Sequence, residues 1–120
     1  MIERINPPGA PAPRGPYSPA VRAGDFIFVS GQVPGEPGEV GHETRQVLSH
    51  LKRILEGCGA SLADVVKCSV FLADANDFPA MNEVYAEFFG EAKPARSTVV
   101  TAFAISNIRV EIDAIAYKPK

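Results

Sequence analysis

With 120 residues, the chain is long enough for one domain built around one hydrophobic core. It is 46% hydrophobic and 22% charged, an ordinary globular composition; a net charge of −2 and a pI near 5.6 argue against a broad electrostatic grip on nucleic acid, which rests on surplus Lys and Arg. No apolar run approaches the roughly 18 residues that cross a bilayer, and MIERINPPGAPAPRGP lacks the apolar stretch of a signal peptide, so no membrane role and a cytoplasmic location are expected.

Five of the eleven prolines fall within residues 7–16, so residues 1–16 read as an extended arm of a single domain spanning 1–120. YSPAVRAGDFIFVSGQV (17–33) reads as two strands around a turn at Ala23-Gly24-Asp25. Alternation puts Phe26, Phe28 and Ser30 on one face, and Ile27, Val29 and Gly31 on the other. PGEPGEVG (34–41) is a loop by composition and matches no phosphate-binding pattern. From His42 to Gly57 the spacing of Val47, Leu51, Ile54 and Cys58, widened by Leu48 and Leu55, predicts an amphipathic helix with Glu43, Lys52 and Arg53 off its apolar stripe. Gly57 and Gly59 end it.

DVVKCSVFLAD (64–74) is β-branched and dense, which suits an interior strand. DFPAMNEVYAEFFG (77–90) reads as a second helix, with Asp77 as N-cap, Pro79 in the first turn and an apolar stripe of Met81, Val84, Tyr85 and Phe88. PARSTVVTAF (94–103) is a strand, a turn follows near Ser106-Asn107, and IRVEIDAIAY (108–117) is the last strand. The order β-β-α-β-α-β-β fits an α+β sandwich with both helices on one face of a mixed sheet.

That leaves one sheet face bare. In the last strand Ile108, Val110, Ile112, Ala114 and Ala116 are assigned to the helices, and Arg109, Glu111, Asp113, Ile115 and Tyr117 to the other side. In the strand before it Arg96, Thr98, Val100 and Ala102 share a face. A mixed apolar and charged patch of this size meets another chain, so a homo-oligomer packed through the bare face is expected. An arginine sequestered at such a seam gains most from a carboxylate partner. His42 and His50 have no further ligand at metal spacing, so no metal site is expected, and Cys58 and Cys68 read as reduced structural thiols.

Six stretches, GPYSPAV (15–21), FVSGQVP (28–34), CGASLADVVKCSVFLAD (58–74), DFPAMNEVYAEFF (77–89), PARSTV (94–99) and VEIDAIAY (110–117), occur together in the order and approximate spacing of the Rid/YjgF family, which the chain resembles over nearly its whole length. The resemblance implies a chorismate-mutase-like fold and a homotrimer with sites between subunits. It implies hydrolysis of 2-imino acids, arising from unstable enamines, to 2-keto acids and ammonia, with no metal or organic cofactor. Matched position by position, Arg96 corresponds to the arginine that holds the substrate carboxylate and Glu111 to the acid beside the attacking water. Tyr17 and Ser30 correspond to residues that line the family's pocket, Gly31 to the backbone beside it, and Asn82 to a residue near it. Thr98 stands where the best-known deaminases of the family carry cysteine; as the substrate-binding residue the resemblance implies, it offers a hydroxyl, which cannot act as a thiolate. Two other functions fit the same residues: a trimeric binding module for small carboxylates such as 2-keto acids, and a ribonuclease or translation inhibitor, which the acidic pI disfavours.

Overall fold

The computed structural model describes all 120 residues. Its strands are β1 (Ile2–Ile5), β2 (Ala20–Ala23), β3 (Phe26–Gln32), β4 (Val65–Leu72), β5 (Ala95–Val100) and β6 (Val110–Tyr117), with helices α1 (Val40–Gly57) and α2 (Phe78–Phe89). They form one six-stranded sheet in the order β1-β2-β3-β6-β4-β5. Only β4 and β5 pair in parallel; the other neighbours are antiparallel. This is the expected α+β arrangement, two helices on one face of a mixed sheet, with one strand more than the sequence suggested.

The added strand is β1. IERI has no apolar alternation to announce it, yet it pairs with β2 in register Ile2↔Ala23 to Ile5↔Ala20. The N-terminal segment is therefore an edge strand followed by a proline-rich connection, in which Pro7 is buried and the Gly9 carbonyl accepts a hydrogen bond from Arg53 Nη1 at 3.3 Å. Glu3 and Arg4 on this edge are of the kind that discourages pairing with foreign strands.

The core lies between the helices and one sheet face. Val47, Leu48, Leu51, Ile54 and Leu55 of α1 meet Ile27, Val70, Leu72, Val110 and Ile112, all essentially inaccessible. The β6 alternation is as expected, with Val110, Ile112, Ala114 and Ala116 buried. In α2 the inner residues are Met81, Val84, Tyr85 and Phe89; Phe88, assigned to the stripe from sequence, is only half-buried and lies under the Arg45 guanidinium. At the end of α1, Gly59 has φ 83°, and the bonds Gly59 N–H to Glu56 O and Ala60 N–H to Leu55 O close a Schellman motif; Gly57 is still helical.

Two charged residues take places the sequence did not suggest. Glu43, off the apolar stripe, is completely buried; its carboxylate accepts from Arg109 N–H at 2.7 Å and Gly38 N–H at 3.0 Å and so ties the start of α1 to the entry of β6. Asp77 sits at the N-cap position of α2 but makes no capping bond. Its carboxylate is held instead by Arg109, Nε at 3.0 Å and Nη2 at 2.9 Å. The bidentate carboxylate–guanidinium pair within this chain is thus Arg109–Asp77, and Arg109 turns away from the bare face. The histidines of α1 also have local partners, His42 with Gln46 and His50 with the Val33 carbonyl.

Candidate functional site

Glu111 lies on the open face of the sheet beside a β-bulge. Val29 pairs with Ala114 and Gln32 with Ile112, so Ser30 and Gly31 together oppose the single residue Asp113. The bulge brings Gly31 against Glu111 rather than leaving it on the Ile27–Val29 side, as simple alternation expects. A Cβ on Gly31 would collide with the Glu111 carboxylate, so glycine is what gives that carboxylate room.

An open cleft of about 290 Å³ is lined here by Tyr17, Ser30, Gly31, Val33, Ile105 and Glu111. Tyr17 stands half-exposed, its hydroxyl accepting a 3.0 Å bond from the Arg14 N–H. Ser30 donates its hydroxyl proton to the Ser18 carbonyl at 2.6 Å, which pins the GPYSPAV segment to β3 and leaves the oxygen only its lone pairs for a ligand. Glu111 has no hydrogen-bonding group of its own chain among its influences. Burial first, and the like charge of Asp113 second, push its carboxyl above the ordinary carboxylate value.

Arg96 lies elsewhere. Cys68 of β4 is its cross-strand partner in β5, and Val70 is that of Thr98, so both side chains share the helix-facing side of the edge strand. The guanidinium lies over two aromatic rings of α2, 4.8 Å from the Tyr85 centroid and 5.6 Å from that of Phe78. Such contacts hold a cation through its flat face and leave its in-plane N–H donors free. The four ion pairs of the chain engage Arg45, Arg109, Lys118 and Lys120, none of them Arg96.

Asn82 is four residues after Phe78 and three before Tyr85, which places it on the same helix face as both rings. Its Oδ1 is buried and has no hydrogen-bond partner. Beneath the rings the Tyr85 hydroxyl also lacks a partner of good geometry; its neighbour is the Cys68 thiol, a poor one. Burial drives both groups toward their neutral forms, and the Cys68 thiol is pushed up to about 11. Burial raises Cys58 as well, so neither thiol is activated.

The seven residues singled out from sequence therefore form two groups. Tyr17, Ser30, Gly31 and Glu111 surround one cleft on the open face; Arg96, Thr98 and Asn82 cluster on the helix side of the far edge. Glu111 is paired with Phe71 of β4, and Phe71 with Val99 of β5, so the strands carrying Glu111 and Arg96 are two spacings apart, roughly 10 Å. Arg96 is three residues from Val99, an odd offset, which turns it to the opposite face. Within one chain the two groups do not form a single pocket. Sequence reasoning passed over Phe78 and took Tyr85 only as core; the i, i+4, i+7 spacing of Phe78, Asn82 and Tyr85 is the signal that could have linked them to Arg96.

Residues 8–118 match the endoribonuclease L-PSP family. A RutC family protein of Pyrococcus horikoshii is 50% identical to this chain, over 98% of it and 99% of its own length. A Dermatophagoides farinae protein named 2-iminobutanoate/2-iminopropanoate deaminase is 42% identical, over 92% of each. Among solved structures, that of the YjgF gene product of E. coli superposes with a TM-score of 0.89 at 40% identity, covering 96% of this chain and 98% of that one. The six motif stretches, the sheet with its two helices and these matches agree: the chain belongs to the Rid/YjgF family, whose members include imine and enamine deaminases.

Proposed function

We infer that this protein hydrolyses 2-imino acids to 2-keto acids and ammonia, at a site completed by two copies of the chain. The observation that carries this is the separation just described: an arginine without a carboxylate and a glutamate without a donor, on opposite faces of one sheet. A neighbouring copy that covers the open face with its β5 edge brings one copy's Arg96 group to the other's Glu111 cleft. Phe26, Phe28, Val99 and Tyr117, all more than 40% exposed, supply an apolar surface for such packing on that face. A closed ring satisfies every copy, and the homotrimer implied by the family resemblance is the ring we propose.

The chemistry follows from the groups. The Arg96 fork takes the substrate carboxylate bidentately, its N–H donors left free by the stacking on Tyr85 and Phe78. The orphan Asn82 Oδ1 accepts from the imine N–H. Glu111 takes a proton from water, whose oxygen bonds to the imine carbon while the C=N electron pair moves to nitrogen. The same carboxyl returns that proton to nitrogen, giving a carbinolamine. It then takes the carbinolamine hydroxyl proton as the C=O bond forms and passes it to nitrogen as the C–N bond breaks, so ammonia leaves and the 2-keto acid remains. Thr98 offers a hydroxyl beside Arg96 for orientation, and no covalent intermediate is required. No metal or organic cofactor enters any step. The chain's net charge of −2 gives no general support to a ribonuclease role.

Mixed assembly tests the reading. Arg96→Ala and Glu111→Gln are each expected to abolish the fall in semicarbazide trapping of imino acids generated by an amino acid oxidase. Unfolded together and refolded in equal amounts, they are expected to regain activity at about a quarter of the sites, the statistical share in which an intact arginine meets an intact glutamate in any closed ring. No recovery in co-refolded oligomers would overturn the shared site. Binding of a 2-keto acid by wild type without turnover would instead support the binding module.

A further inference from the structure

The cleft beside Glu111 has a neighbour. A narrow cavity of about 50 Å³ runs under the N-terminal segment, lined by Arg14 among Pro11–Pro13, Pro19 and Gly31–Gly35. Tyr17, Gly31 and Val33 belong to both cavities, so Arg14 and Glu111 flank one dividing wall. Arg14 makes none of the chain's ion pairs, and its one hydrogen bond is a backbone N–H to Tyr17 Oη. Its side chain is exposed beside the narrow cavity, with its five N–H donors uncommitted.

The segment carrying it is held in place. Prolines 11, 13, 16 and 19 restrict its backbone, Ser30 Oγ binds the Ser18 carbonyl, and Tyr17 N–H donates to Gly15 O at 2.9 Å. A cation on a pre-ordered rim loses little freedom when it meets an anion. Pro34 and Gly35 line the same cavity, and Glu36 follows them in the chain; neither Glu36 nor Glu111 pairs with Arg14.

We propose that Arg14 is a specificity-determining residue that selects 2-imino acids bearing a second carboxylate on the side chain. Arg96 takes the carboxylate next to the imine carbon, and Arg14 receives the distal one across the Tyr17 wall. The proposal rests on the deaminase reading above and narrows it to a substrate class.

The test compares two imino acids in the same trapping assay: the dicarboxylic one generated from aspartate by an aspartate oxidase, and the monocarboxylic one generated from alanine by an amino acid oxidase. Wild type is expected to favour the dicarboxylic substrate in kcat/KM. Arg14→Gln is expected to lower the dicarboxylic-to-monocarboxylic ratio about tenfold, through KM, and Arg14→Glu to lower it further, while Arg14→Lys keeps part of the preference. An exposed side chain without partners leaves folding intact in all three. If both substrates are hydrolysed and the ratio is the same in wild type and Arg14→Gln, the proposal is wrong while the deaminase reading stands. Failure of wild type to hydrolyse either would remove both.

Discussion

Arg96 and Glu111 occupy opposite faces of one sheet, with β4 between their strands. Each lacks an ionic partner in its own chain. The arginine is held by π faces and the glutamate by shape, against Gly31. Neither arrangement consumes the polar atoms needed for a substrate, which makes both groups informative to perturb.

Tyr85 is expected to act as a platform for Arg96 rather than through its hydroxyl. Tyr85→Phe keeps the ring and removes a buried oxygen that has no partner, so thermal stability is expected to hold or rise and kcat/KM to stay within a few fold. Tyr85→Leu removes the surface under the guanidinium, worth about 1 kcal/mol in such a contact, and is expected to raise KM more than it lowers kcat. Steady-state kinetics on both variants check the contrast; equal loss in both would show that the hydroxyl matters.

Glu111 gives a pH dependence with a definite sign. Its folded carboxyl titrates above the ordinary value of 4.5, so the folded state prefers the protonated form. Its contribution to stability is full below 4.5 and is lost as pH rises through the higher folded value. Glu111→Gln, neutral throughout, is therefore expected to gain Tm over wild type across the pH interval above 4.5. Because the ionised form is the base, the acid limb of kcat/KM should lie above the usual glutamate range. Thermal melts and a rate profile across that interval check both; a limb at or below 4.5 would contradict the raised value.

Gly31→Ala is expected to push the Glu111 carboxylate out of its place, because the new methyl would overlap that end of the side chain. The end is flexible and faces an open cleft, so it can swing aside at a cost below about 1 kcal/mol, while the displaced base should lower kcat about tenfold. Chemical denaturation and steady-state kinetics separate the two effects; a loss of stability above about 3 kcal/mol would show that the carboxylate has nowhere to move.

Glu43 is a structural counterpart that takes no part in the site. Glu43→Ala leaves the Gly38 and Arg109 N–H groups without their acceptor and is expected to cost about 3–5 kcal/mol. Urea unfolding provides the number. A loss below about 1 kcal/mol would mean that water replaces the carboxylate readily.

Much of this protein follows from local pattern. The spacing of Val47, Leu51 and Ile54 reports α1, and the alternation of Val110, Ile112, Ala114 and Ala116 reports β6 and its buried side, because helix and strand periods are properties of the chain itself. The family motifs likewise put the candidate residues on paper, Arg96 and Glu111 among them. Four matters were settled only by tertiary pairing. β1 is a strand because β2 offered an open edge, not because IERI demands one. The bulge at Ser30-Gly31 exists only against Asp113, and it turns Gly31 toward Glu111. Glu43 is buried because two backbone donors, one of them 66 residues away, meet it there. Arg96 points to the helices because Cys68 is its neighbour across the parallel ladder. Periodicity tells which side chains share a face, whereas contacts between distant segments decide which face that is, what lies across from it and which groups remain without a partner.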